Sequence, residues 1–129
     1  MGQTRYLVDS NAVIDYLGKK LSASGMDFMD SIINAVPNVS VISKIEVLGY
    51  NAPREHYKLL SEFMADSTVM DLTDNIVDKT IEIRKQHKTK LPDAIIASTA
   101  IVYGLDLISR NTSDFKDIKE LTIIDPHSL

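Results

Sequence analysis

The chain has 129 residues, enough for one compact domain with its own core and too few for two. Its 44% hydrophobic and 25% charged residues exclude a disordered polyelectrolyte, and the absence of cysteine excludes disulfides, thiolate metal sites and a thiol nucleophile. No apolar run reaches the roughly 18 residues that cross a bilayer, and the segment Met1-Gly2-Gln3-Thr4-Arg5 carries no long apolar stretch. A cytoplasmic chain without membrane association is expected. The formal charge of −4 argues mildly against a bulk electrostatic grip on nucleic acid but is compatible with acids gathered around a metal ion, so it does not identify a substrate.

Along the chain, Tyr6-Leu7-Val8 is a short apolar run that stops at Asp9 and reads as a buried strand. Ala12 to Leu17 reads as a helix ended by Gly18, and Met26 to Ala35 as a second, with Phe28, Met29, Ile32 and Ile33 at helical spacing. Pro37-Asn38 breaks it before a β-branched strand, Val39 to Ile42. Helices are expected from Ser43 to Tyr50 and after Pro53, the latter with Tyr57, Leu60, Phe63 and Met64 on one face. Thr68 to Leu72 is a third strand, and Thr73 caps a helix through about Gln86. Pro92 opens a helix to Tyr103 that Gly104 stops, and Leu105 to Ile108 and Leu121 to Ile124 complete the strands. Short apolar strands alternating with helices imply a single α/β domain over residues 1–129, with about five mostly parallel strands flanked by helices as an α/β/α sandwich.

Four acids stand out. Asp9 ends the first strand, where it can either cap the next helix or hold a ligand. Glu46 follows Ser43 in a Ser-x-x-Glu capping-box pattern, again open to both roles. Asp93 lies beside Pro92 at the start of a helix whose Ala94, Ile95, Ile96, Ala97 and Ala100 are apolar on nearly every side; a carboxylate at the mouth of a buried helix needs partners. Asp114 and Asn111 sit in the polar loop Ser109-Arg110-Asn111-Thr112-Ser113-Asp114, where Asx or capping motifs compete with ligand binding. In a parallel sheet all strands end at one edge, and ligands bind there. Asp9, Glu46 and Asp114 each follow a strand, and the Asp93 helix begins at that same edge. Four gathered anions repel one another, and a hard divalent cation relieves the repulsion through oxygen ligands, with Mg²⁺ or Mn²⁺ better suited than zinc.

The basic run Arg84-Lys85-Gln86-His87-Lys88-Thr89-Lys90 precedes Asp93. It reads both as a helix C-terminus favoured by the dipole and as phosphate contact through Arg84, Lys85, Lys88 and Lys90. His56, His87 and His127 show no metal-ligand spacing and read as ordinary surface histidines. No Gly-rich phosphate loop is present, which argues against nucleotide binding. A phosphoacceptor receiver domain, another fold with acids at strand ends, would need an acidic pair after its first strand, where this chain has Asp9-Ser10-Asn11.

Taken in order, Leu7-Val8-Asp9-Ser10-Asn11, Val41-Ile42-Ser43-Lys44-Ile45-Glu46, Leu91-Pro92-Asp93-Ala94-Ile95-Ile96-Ala97 and Ile108-Ser109-Arg110-Asn111-Thr112-Ser113-Asp114-Phe115 resemble the PIN-domain family and, within it, the VapC-type toxins. The resemblance implies an Mg²⁺- or Mn²⁺-dependent endoribonuclease, the toxin of a type II toxin–antitoxin pair, with an RNA substrate, a small antitoxin partner and a homodimeric state. Its metal-binding and catalytic acids match Asp9, Glu46, Asp93 and Asp114, with Ser10, Ser109 and Asn111 as supporting polar residues. Ser109 stands where relatives often carry Thr, and Asn111 where some carry a second Asp, so the pattern leaves open which of Asn111 and Asp114 faces the ion. A PIN scaffold that binds RNA or protein without cutting is the alternative within the same family.

Overall fold

Strands buried on both faces carry continuous apolar runs, and the short runs of this sequence become such strands. The computed structural model describes residues 5–129. In it, β1 (Tyr6–Val8), β2 (Asn38–Ser40), β3 (Thr68–Met70), β4 (Asp106–Ile108) and β5 (Ile123–Ile124) form one sheet in the order β3-β2-β1-β4-β5. Every pairing is parallel, so the sheet is uniform in direction where the sequence promised only a majority. The helices are α1 (Ser10–Leu17), α2 (Ala23–Asn34), α3 (Val41–Leu48), α4 (Arg54–Ala65), α5 (Asp74–Gln86), α6 (Leu91–Tyr103) and α7 (Thr112–Phe115), followed by a 3₁₀ turn at Pro126–Ser128.

Strand side chains alternate between faces, and the core divides accordingly. Val8, Val39 and Ile108 join Ala12, Val13, Met29, Ile32, Leu60, Phe63 and Met64 in one apolar layer. Leu7 and Leu107 join Ile83, Ala94, Ile96, Ala97, Ala100 and Phe115 in the other. The second layer includes α6, buried without interruption from Ala94 to Ala100 as its composition implies. Its hydroxyls are satisfied internally: Ser98 Oγ donates to the Ala94 carbonyl (2.6 Å), and Thr80 Oγ1 of α5 donates to Ser98 Oγ (3.0 Å). Gly104 ends α6 with φ 66°, a left-handed turn that disfavours side chains with a Cβ.

Several boundaries differ from the sequence reading for local reasons. The strand expected over 39–42 ends at Ser40, because the Ser40 hydroxyl accepts the Ile42 amide (3.1 Å) and caps α3, which starts at Val41, two residues before Ser43. The Ser43–Glu46 capping box is therefore not formed. Ser43 instead lies inside α3, its Oγ buried and, among the described residues, without a hydrogen-bond partner. Helix α1 begins at Ser10 rather than Ala12, and α2 at Ala23, where Ser22 caps it through the Gly25 amide (3.1 Å). Helix α6 opens one residue before Pro92, and β3, β4 and β5 are shorter than their apolar runs. Tyr57, expected on the buried face of α4, is 43% exposed. Among the described residues, no helix is long and apolar enough to cross a membrane.

Candidate active site

The chain leaves β1 to form β2 and β3 on one side, then crosses over to place β4 and β5 on the other. This reversal opens a crevice at the carboxyl ends of β1 and β4, the place where open parallel sheets bind ligands. The Asp9 amide donates to the Ile108 carbonyl (2.9 Å), so the two strands are joined right up to this edge.

Asp9 is only 3% exposed. Its Oδ1 accepts the Ser10 amide (2.9 Å), so the capping role foreseen for it is real. Its Oδ2 accepts Ser109 Oγ (2.9 Å) from the end of β4 and Asn11 Nδ2 (3.2 Å) from α1. Asn11 Nδ2 also reaches Ser109 Oγ (3.2 Å), which in turn accepts the Asn111 amide (3.1 Å). Burial pushes the Asp9 carboxyl above the ordinary carboxylate range, against the pull of the hydrogen bonds from Ser109, Ser10 and Asn11.

The other acids are more open. Glu46, on α3, takes a long contact from Ser10 Oγ (3.4 Å), and its carboxyl is raised first by burial and then by repulsion from Asp9 and, more weakly, Asp93. Asp93, in the first turn of α6, is raised by burial, then by Asp9 and Asp114, with Lys90 pulling the other way. Asp114 is exposed in α7. The four acids thus feel one another as a chain of like charges: Glu46 and Asp93 each with Asp9 and with one another, and Asp93 with Asp114. Among the described residues, no three carboxylate or histidine side chains form a ready-made ion cage. The donor set nevertheless suits a hard divalent cation. It is all oxygen, and its repulsion is of the kind such an ion removes.

The supporting residues divide. Ser10, Ser109 and the Asn111 main chain meet at Asp9 or its neighbours, whereas Asp114 is the member of the final loop that repels Asp93. Of the four cations, Lys90 lies near enough to Asp93 to stabilise its charge. Lys88 shares with His87, Asp114 and Asp117 a cleft of about 340 Å³. Arg84 donates to the Thr89 carbonyl (3.0 Å) and so holds the α5–α6 loop, while Lys85 is exposed in the last turn of α5 and lines neither cleft of that loop.

Sequence reasoning missed a second polar centre. Asp15 of α1 is 1% exposed and accepts Arg110 Nη1 on both oxygens (3.0 and 3.1 Å). His127 Nε2 lies 2.8 Å from its Oδ2, so this histidine is not the idle surface residue its spacing implied. The available signal was a lone acid inside the apolar stretch Ala12-Val13-Ile14-Asp15-Tyr16-Leu17.

An all-parallel five-stranded α/β domain with acids converging at its switch point defines a class, and the sequence agrees: residues 6–121 match the family model for the PIN domain, to which this chain belongs. No curated protein matches the sequence. Solved structures do. A toxin–antitoxin complex from Klebsiella pneumoniae is 27% identical, with 94% of this chain and 97% of that chain covered and a TM-score of 0.72. DNA-bound VapBC from Salmonella typhimurium (20% identity, 96% and 99% covered, TM-score 0.79) and FitAcB from Neisseria gonorrhoeae (20%, 96% and 99%, 0.75) share the fold.

Proposed function

We propose that this PIN-domain protein is an Mg²⁺- or Mn²⁺-dependent endoribonuclease and the toxin of a toxin–antitoxin pair. The observation that carries the reading is the placing of Asp9, Glu46, Asp93 and Asp114 at one sheet edge, where burial raises the carboxyls of Asp9, Glu46 and Asp93 and repulsion from neighbouring acids raises Glu46 and Asp93 further. Uncompensated convergence of this kind is costly to fold and marks a functional site more often than a structural one. Asp9, Glu46 and Asp93 would hold the ion, with Asp114 beside Asp93 at the outer end. Once bound, such an ion polarises a phosphate oxygen and lowers the pKa of water.

The protein's own residues do the rest. Ser109 and Asn11 fix the orientation of Asp9. Ser10 Oγ steers Glu46 through its long contact. Lys88 and Lys90 set positive charge next to Asp114 and Asp93, giving a phosphate backbone local attraction on an acidic chain. Two features support the partner half of the reading: similarity to chains from solved toxin–antitoxin complexes, and the exposed apolar side chains Ile14, Ile45, Tyr50 and Leu59, which a protein partner or a second copy would cover.

Cleavage of a mixed RNA pool with Mn²⁺ tests the enzyme half, comparing wild type, Asp93→Asn and a chelated control. Cutting by wild type alone is expected. Equal cutting in all three contradicts the assignment, and Mn²⁺ binding without any cutting transfers the site to an RNA- or protein-binding scaffold.

A further inference from the structure

The buried Asp15 is separated from the four acids yet tied to them by a closed circuit. Four residues along α1 from Asn11, it lies about one turn away on the same side of the helix. Asn11 Oδ1 accepts the Arg110 amide (3.1 Å), while the Arg110 side chain reaches past it to both oxygens of Asp15. The loop after β4 is thereby gripped twice by α1, once through its main chain and once through its side chain. The residues on either side of Arg110 are those engaged at Asp9. Ser109 Oγ donates to Asp9 Oδ2, and the Asn111 amide donates to Ser109 Oγ, fixing the direction of that hydroxyl. Asp15 Oδ2 is also met by His127 from the 3₁₀ turn, which is packed so tightly on α2 that a Cβ at Gly25 would collide with the Pro126 carbonyl.

We propose that Arg110 and Asp15 are positioning residues for Asp9, with His127 as the third member of the latch. The inference rests on the metal-nuclease reading for its consequence but not for its existence. A carboxylate offers about four acceptor directions, and three at Asp9 are taken by Ser10, Asn11 and Ser109. The latch sets which direction remains for an ion. Arg110 is 52% exposed in its side chain but directed inward by Asp15, so it holds the loop rather than gripping RNA. Outer residues that orient a metal ligand in this way typically change affinity or activity by about 10- to 100-fold when removed.

The test compares Arg110→Met, Arg110→Lys and wild type by amide hydrogen exchange, Mn²⁺ affinity and cleavage kinetics. Arg110 uses a single nitrogen on Asp15, so lysine can restore the contact. In Arg110→Met, exchange at the amides of residues 110 and 111 is expected to quicken at least about tenfold, with the Leu107 amide in the sheet unmoved. Mn²⁺ binding and kcat should fall by about tenfold at constant KM, and Arg110→Lys should recover most of each loss. Unchanged exchange at 110 and 111 overturns the latch by itself, whether or not the protein binds metal or cuts RNA. Faster exchange with unaltered Mn²⁺ affinity overturns its role at Asp9, and a rise in KM alone reassigns Arg110 to substrate contact. Wild type that neither binds Mn²⁺ nor cuts defeats the nuclease reading, while the exchange comparison still decides the latch. If Arg110→Met fails to fold, His127→Gln and Asp15→Asn are measured in its place, and wild-type exchange at residues 110 and 111 in both contradicts the proposal.

Discussion

The two halves of the acid cluster are built in opposite ways. On the β1–β4 side, Asp9 is buried and hydrogen-bonded by a main-chain amide, an amide side chain and a hydroxyl, and the loop that supplies the hydroxyl is itself latched to Asp15. On the α3–α6 side, Asp93 is half-buried and Glu46 and Asp114 are exposed; Glu46 has the long Ser10 contact, and Glu46 and Asp93 are each repelled by neighbouring acids. One half is organised before any ligand arrives, and the other is left for the ligand to draw together. On the proposed reading, preorganisation on one side would fix where an ion enters. Looseness on the other limits how much repulsion the fold must carry without it.

The largest effect expected from breaking this contrast is on chemistry. Asp93→Asn should lower RNA cleavage by about a hundredfold or more, equivalent to about 3 kcal/mol of transition-state stabilisation, read in single-turnover assays at saturating Mn²⁺. The same change should have the opposite effect on the metal-free fold. Because the carboxyls of Asp9, Glu46 and Asp93 are raised in the folded state, that state keeps protons the unfolded chain has already released. Their contribution to stability therefore falls as pH rises from about 4 through the raised values, and the full penalty stands above them. Asp93→Asn should be more stable than wild type at neutral pH without metal and show a flatter pH slope, measured by denaturant unfolding.

Asp15→Ala attacks the preorganised half. It removes the buried carboxylate that anchors Arg110 and His127 and should cost about 3 kcal/mol, the low end for a broken buried pair because Arg110 stays half-exposed. Gly25→Ala comes next. Its methyl group collides with the Pro126 carbonyl, and a loss of about 1–2 kcal/mol is expected after a smaller gain in helix propensity. Ser10→Ala removes the 3.4 Å contact that joins the two halves. Because the bond is long and exposed, a change below about 0.5 kcal/mol is expected, and a larger one would mean that Glu46 is held more firmly than the contrast requires.

The sequence made the frame legible where apolar runs and turn residues agree. Tyr6-Leu7-Val8, the Thr73 cap and the buried α6 are all in place. Strand ends of a parallel sheet share one edge, which is why the electrostatic proximity of Glu46 and Asp93 to Asp9, and of Asp93 to Asp114, was also legible. Ser40 and Ser43 mark the limit of local pattern. Both can cap, and only the strand pairing of β2 decides that Ser40 does. Asp15, Arg110 and His127 were out of reach for a different reason. Their contacts span 95 and 112 positions in sequence, and no local spacing encodes such a meeting.

The central claim, that the open acids await a divalent ion, is tested most directly by thermal unfolding with and without Mn²⁺ for wild type and Asp93→Asn. Selective binding to the folded state raises its stability by mass action, and wild type should gain several degrees at saturating ion while the variant gains markedly less. Equal gains, or none in either protein, would contradict it.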